Sequence, residues 1–159
     1  MSEALEGVLA ATPDSQVLTV VGLNKSRLDL DDLAMERGFK AMEALGRWQW
    51  ATHLLAREYS KRSSVPMNIY MPGIVKTKIL SSEPQPMRTI LKLLYLLVAI
   101  SVEKSALNVI TVMRDVREHH RQGQYYSVDK LKADADLNAK DGDADALWDL
   151  TETLLKRSQ

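Results

Sequence analysis

The chain is 159 residues long, 45% hydrophobic and 26% charged, a composition that suits one globular domain with a real core. Lys plus Arg and Asp plus Glu are equal at 21 each, so no net field recruits nucleic acid or an anionic membrane, and no segment mixes basic and aromatic residues in a nucleic-acid pattern. Cysteine is absent, which excludes disulfides, thiol catalysis and thiolate metal sites.

The opening MSEALEGVLAAT is acidic and lacks the basic and long apolar regions of a secretory signal, so a soluble cytoplasmic protein is expected. Ser2 to Ala11 reads as a short helix stopped by Thr12-Pro13-Asp14. QVLTVVG, Gln16 to Gly22, is short and apolar on both faces, as a buried parallel strand is. Ser26 to Arg37 is polar and irregular, and its Asp29, Asp31 and Asp32 read as a solvated acidic loop. Phe39 to Lys61 reads as a long helix whose Phe39, Met42, Leu45, Gln49, Thr52, Ala56 and Tyr59 recur at spacings of three and four and share one face.

SSVP ends that helix, and MNIYM (Met67 to Met71) makes a second strand closed by Pro72-Gly73. Pro84 and Pro86 open a lipophilic helix over Met87 to Ile100; its most apolar part, ILKLLYLLVAI, is too short to span a bilayer and contains Lys92. Ser101 caps a further helix from Val102 to about Arg117. GQYYSVD is a third strand, and Ala144 to Arg157 a terminal amphipathic helix with Leu147, Trp148, Leu150, Leu154 and Leu155 on its apolar side. Strands alternating with helices predict a single α/β domain over residues 1–159, with a parallel sheet of about three strands.

Taken in order, VLTVVGLNKSRLDLDDL, ALGRWQWATHLLAREYSKR, NIYMPGIVKTKIL, SVEKSALNVITVM, GQYYSVD and ALWDLTETLL resemble the C-terminal half of the short-chain dehydrogenases/reductases, nearest to their retinol-dehydrogenase-like branch. The resemblance implies a partial Rossmann-like sheet flanked by helices. The family's glycine-rich cofactor turn has no counterpart in this sequence. Gly22 stands at the family's catalytic Ser position, Leu45 at its Tyr and Gln49 at its Lys. Leucine transfers no proton and glutamine supplies no positive charge, so NAD(P)-dependent hydride transfer is not expected. Cofactor-binding and metal-binding residues are expected to be none. The strand Gln16–Val21 would border a strand this sequence lacks, leaving an open apolar edge, completed by oligomerisation: a homodimer through that edge or through the long helix. A heteromer with a chain that supplies the other half is the alternative.

What the resemblance leaves is a lipophilic pocket. Its expected lining is Leu23, Leu45, Trp48, Gln49, Met71, Ile74, Val75, Thr77 and Leu91. Trp48 and Trp50 either wall a ligand or fill space. His53 follows Gln49 by one turn and is a candidate general acid/base, although a lone helical histidine is more often a surface or interface residue; Gln49 and Thr77, the latter on the PGIVKT loop over the sheet's C-terminal edge with capping of the next turn as its bland reading, are the other catalytic candidates. His119 and His120 read as solvated. Asp141, Asp143, Asp145 and Glu152 match calcium-loop positions, but Ala146 stands where the loop needs glycine, and the bland reading is acidic residues at a helix N-terminus.

Two functions follow. One is a cofactor-independent isomerase or cyclase acting on a lipophilic small molecule, for which specialised metabolism is a fitting setting. The other is a non-catalytic pseudoenzyme, a ligand-binding module or a subunit completing a partner chain.

Overall fold

The computed structural model describes residues 3–22, 28–77, 89, 98–132 and 142–157. Helix α1 (Glu3–Ala11) leads into strand β1 (Val17–Val20), a 3-10 turn (Leu30–Asp32), helix α2 (Ala41–Arg62) and strand β2 (Met67–Met71). Helix α3 (Val102–Glu118), strands β3 (Tyr125–Ser127) and β4 (Lys130–Lys132) and helix α4 (Asp143–Arg157) follow. The sheet runs β1-β2-β3-β4, with the first three strands parallel and β4 antiparallel. This is the expected α/β class, an open and mostly parallel sheet of partial Rossmann-like form, with one strand more than the sequence predicts. Lys130-Leu131-Lys132 is exposed throughout and lacks an apolar face, so no pattern announces it.

β2 is buried on both faces. Thr19, Ile69 and Tyr125 are in register, as are Val20, Tyr70 and Tyr126, and alternate residues point to opposite sides. One face carries Ile69 and Val21 against Ala56 of α2, with Met67, Met71 and Tyr125 around them. The other carries Tyr70 and Tyr126 against Val112 and Val116 of α3, joined by Leu18 and Val109. Burying side chains of this size stabilises the fold by roughly 1.5–3 kcal/mol each.

The long helix is buried differently from the sequence expectation. Gln49, His53 and Ala56 face the sheet, and Tyr59 is also buried, but Phe39, Met42 and Leu45 are exposed. Phe39 precedes the helix, and only the later turns of α2 lie over strands. The C-terminal part of α2 packs instead on α4. Leu147 is buried there, the Arg62 guanidinium lies 5.0 Å from the Trp148 ring centroid, and Arg62 Nη2 is 3.3 Å from Asp145 Oδ1. Buried Glu58 pairs with Lys61 and Arg62, each at 2.7 Å. Leu154 and Leu155, expected on the packed side, are exposed.

The acidic loop is structural rather than merely solvated. Asp29 Oδ1 accepts from the Asp31 N–H at 3.1 Å, and Asp32 accepts from the Glu36 N–H at 2.8 Å. Arg47 of α2 donates to the Asp32 carbonyl and to Glu43 Oε1, which fastens the loop to the helix. The expected cap is present on α3, where Ser101 Oγ accepts from the Lys104 N–H at 3.1 Å.

α3 ends in a left-handed turn. His120 has φ 50°, and the Arg121 N–H donates back to the Val116 carbonyl at 3.0 Å. Fully buried Asn68 holds the following loop: its Nδ2 donates to the Arg121 carbonyl at 3.0 Å, and its Oδ1 accepts from the Gln124 N–H at 2.9 Å. Asp115 adds a charged tie, accepting from Tyr126 Oη and from Arg121 Nε, the latter at 2.8 Å, with His119 Nδ1 3.0 Å away. Burial alone would raise the Asp115 carboxyl, but the Tyr126 hydrogen bond and the Arg121 guanidinium hold it below its usual 3.8. Burial, with the Asp115 carboxylate beside it, pushes Tyr126 far up.

Two predictions follow from these contacts. A carboxyl lowered in the folded state contributes stability that is complete above 3.8 and lost as pH falls through the lowered value. Asp115→Asn is therefore expected to lower stability by about 1–2 kcal/mol at neutral pH, with the gap from wild type closing in acid; urea midpoints across pH measure it. Val128, a β-branched residue at φ 63° in the β3–β4 turn, carries strain that glycine relieves. Val128→Gly is expected to raise the thermal midpoint, by the equivalent of about 1 kcal/mol in scanning calorimetry.

Candidate functional site

The α2 face of the sheet gathers the chemistry-bearing side chains. β1 runs out at Val20, and Gly22 follows it over the middle of α2. A methyl group on Gly22 would lie 2.9 Å from Gln49 Nε2, so the absent side chain leaves room for the buried amide. One turn further on, His53 is buried and stacks on Tyr125 of β3, with ring centroids 5.5 Å apart and 26° between planes. The Tyr125 hydroxyl points to Met71 at the end of β2, with Oη 3.3 Å from Sδ. Burial raises the Tyr125 phenol above its ordinary value, so it remains a neutral donor.

The result is an amide, an imidazole and a neutral phenol beside Val21, Ile69 and Met71: Gln49 lies by Gly22, just past the end of β1, while His53 and Tyr125 lie level with Ile69, midway along β2. An imidazole of this kind can take a proton from carbon or oxygen, and a phenol or amide can donate to a carbonyl oxygen that gains charge. Ligands of open α/β sheets bind outside the C-terminal ends of the strands, the end toward which Gly22 and Gln49 lie.

The expected site residues divide into four groups. Gln49, His53 and Met71 come together, with Gly22 above them. Leu45 and Trp48 lie on α2 but are 45% and 50% exposed. Trp48 and Trp50 do not form one wall, because two residues along a helix are turned about 200° apart. Ile74 and Val75 are half-buried in a strap after Pro72-Gly73, where Val75 bridges Ile100 and the Lys76 N–H donates to the Ile100 carbonyl at 2.9 Å. Thr77 is exposed at the end of that strap. Leu23, Leu91 and nearly all of the lipophilic segment Met87 to Ile100 lie outside the described residues.

Tyr125 is the residue that sequence reasoning missed. Its strand is recognised, but only the register with Ile69 shows which of the paired tyrosines turns toward α2. The other motifs resolve into structural roles. His119 pairs with Asp115, and His120 supplies the left-handed residue after α3. Of the calcium-like acids, Asp145 pairs with Arg62 and Glu152 with Lys156, while Asp141 lies outside the described residues. Among the described residues no cluster of three or more His, Asp or Glu could hold a metal, and no helix is long and apolar enough to cross a membrane.

No protein-family model matches the chain, and no curated protein sequence is significantly similar to it.

Gly22 and Gln49 are predicted to be energetically coupled. Gly22→Ala is expected to cost about 1 kcal/mol by displacing the buried Gln49 amide, and Gln49→Ala is expected to remove most of that cost. A double-mutant cycle by urea denaturation reads the coupling.

Proposed function

We propose that this chain is a redox-silent relative of the C-terminal half of the short-chain dehydrogenases/reductases, acting in the cytoplasm as a cofactor-independent isomerase or cyclase on a lipophilic small molecule. The observation that carries this reading is the stacked His53–Tyr125 pair, buried in apolar surroundings between α2 and the sheet, one helical turn from Gln49. Support for the family comes from the parallel β1-β2-β3 order and from the meeting of Gly22 with Gln49, the positions matched to the family's Ser and Lys. With leucine at the matched Tyr position and glutamine at the Lys, the family's proton donor and its charged neighbour are both lost.

Isomerisation needs neither. His53 removes a proton from the carbon beside a carbonyl, Tyr125 or Gln49 donates to the oxygen that becomes negative, and the proton returns at another carbon with no change of oxidation state. The same reading expects a homodimer, because the apolar strand edge and the exposed Phe39, Met42, Leu45 and Trp48 of α2 are surfaces that self-association covers.

A non-catalytic pseudoenzyme or ligand-binding module is the second reading. It is favoured by the Tyr125 hydroxyl being engaged with Met71.

Deuterium uptake at the α-carbons of trans-1-decalone, a bicyclic ketone, separates the two. The full chain in D2O, followed by proton NMR, is expected to accelerate exchange. His53→Ala should reduce that acceleration roughly 100-fold and Tyr125→Phe less. Binding of the ketone without accelerated exchange, seen through tryptophan fluorescence, would establish the module instead.

A further inference from the structure

The two edges of the sheet are built differently. β4, at one edge, is three residues long and carries Lys130 and Lys132, the usual protection against further pairing. β1, at the other, reads Val17-Leu18-Thr19-Val20, with no charge, proline or bulge. The Val17 N–H donates to the Pro66 carbonyl at 2.8 Å and the Val21 N–H to the Tyr70 carbonyl at 2.9 Å. Main-chain groups alternate along a strand, so Leu18 and Val20 direct theirs away from β2. Among the described residues no strand lies on that side.

Helix α3 presents an apolar flank beside the same edge. Its Asp115 side reaches Tyr126 on β3, while the Met113 carbonyl accepts from Gln16 Nε2, just ahead of β1, at 3.1 Å. The helix is thus turned with Asp115 toward β3 and Met113 toward β1. At about 100° per residue, Val102, Ala106 and Ile110 share the Met113 flank. All four are exposed, Ile110 by 53%, and Val20 on the same face of the sheet by 55%.

We infer that a second copy of this chain covers this edge, with β1 pairing antiparallel to β1 of the copy and the Val102–Met113 flank of α3 packing on its equivalent. A two-fold axis normal to the sheet keeps each face on its own side, so α3 meets α3 and the sheet becomes continuous across eight strands. With that axis at Thr19, Leu18 falls opposite Val20 of the partner subunit, and their outward N–H and C=O groups bond reciprocally. Charge agrees with this direction. Glu103 lies in the first turn of α3 and Arg117 in the last, with Arg114 one turn before it, so antiparallel helices set acid toward base. Parallel helices would set like against like.

This inference deepens the self-association in the proposed function by choosing between its surfaces, and it uses none of the His53–Tyr125 site. Sedimentation equilibrium of the full chain tests it. Wild type is expected at twice 17.9 kDa. Val20→Pro removes only an outward N–H and leaves the β2 ladder intact, a substitution edge strands accept. Ile110→Glu places a charge on an exposed flank that the dimer would bury. Each variant is expected to be monomeric with an unchanged circular dichroism spectrum. Glu103→Arg and Arg117→Glu should each weaken the dimer about tenfold, and their combination should restore it. A wild-type monomer at micromolar concentration, which leaves the edge to another occupant, overturns the inference and the homodimer together. A dimer that both Val20→Pro and Ile110→Glu leave intact overturns this surface alone.

Discussion

Burial of β2 on both faces is the constraint from which the fold is built. Ile69 and Tyr70 are neighbours in sequence, yet one packs on α2 and the other on α3. A slip of one residue would exchange the two faces and place Asn68 and Tyr70 against the wrong helix. Asn68 makes such a slip costly, because its amide is fully buried with both ends bonded to the loop between α3 and β3. The register that seats Tyr70 and Tyr126 on α3 therefore also delivers Tyr125 to His53.

Much of this architecture was legible in the chain. Apolar runs bounded by Pro, Gly and Ser marked β1 and β2, and Ser101 marked the start of α3, because these signals are local. The features that escaped depend on distant partners. β4 is a lysine-rich strand created by the turn at Val128, which lacks the Gly or Asn that usually signals a hairpin. Helical spacing put Phe39, Met42 and Leu45 on the same face as Gln49, but spacing does not say how far along a helix its cover extends. In the candidate site, Gln49 and His53 could be named from their one-turn spacing, whereas the choice of Tyr125 over Tyr126 needed the strand register.

The candidate site and the open edge occupy different parts of the sheet. Gln49, His53 and Tyr125 belong to the sheet face under α2. The α3 flank and its apolar stripe lie on the opposite face, so the proposed assembly would not touch these buried groups. Leu45, Gln49 and Gly22 supply neither an acid nor a base, so the acid/base chemistry proposed for this site would fall to the His53 imidazole and the neutral Tyr125 phenol.

We propose that this chain binds a lipophilic ketone and transfers no hydride. Calorimetric titration of the full chain with NADPH tests it most directly. The expected result is no saturable binding under conditions in which a lipophilic ketone binds. A saturable NADPH complex that reduces such a ketone would contradict it.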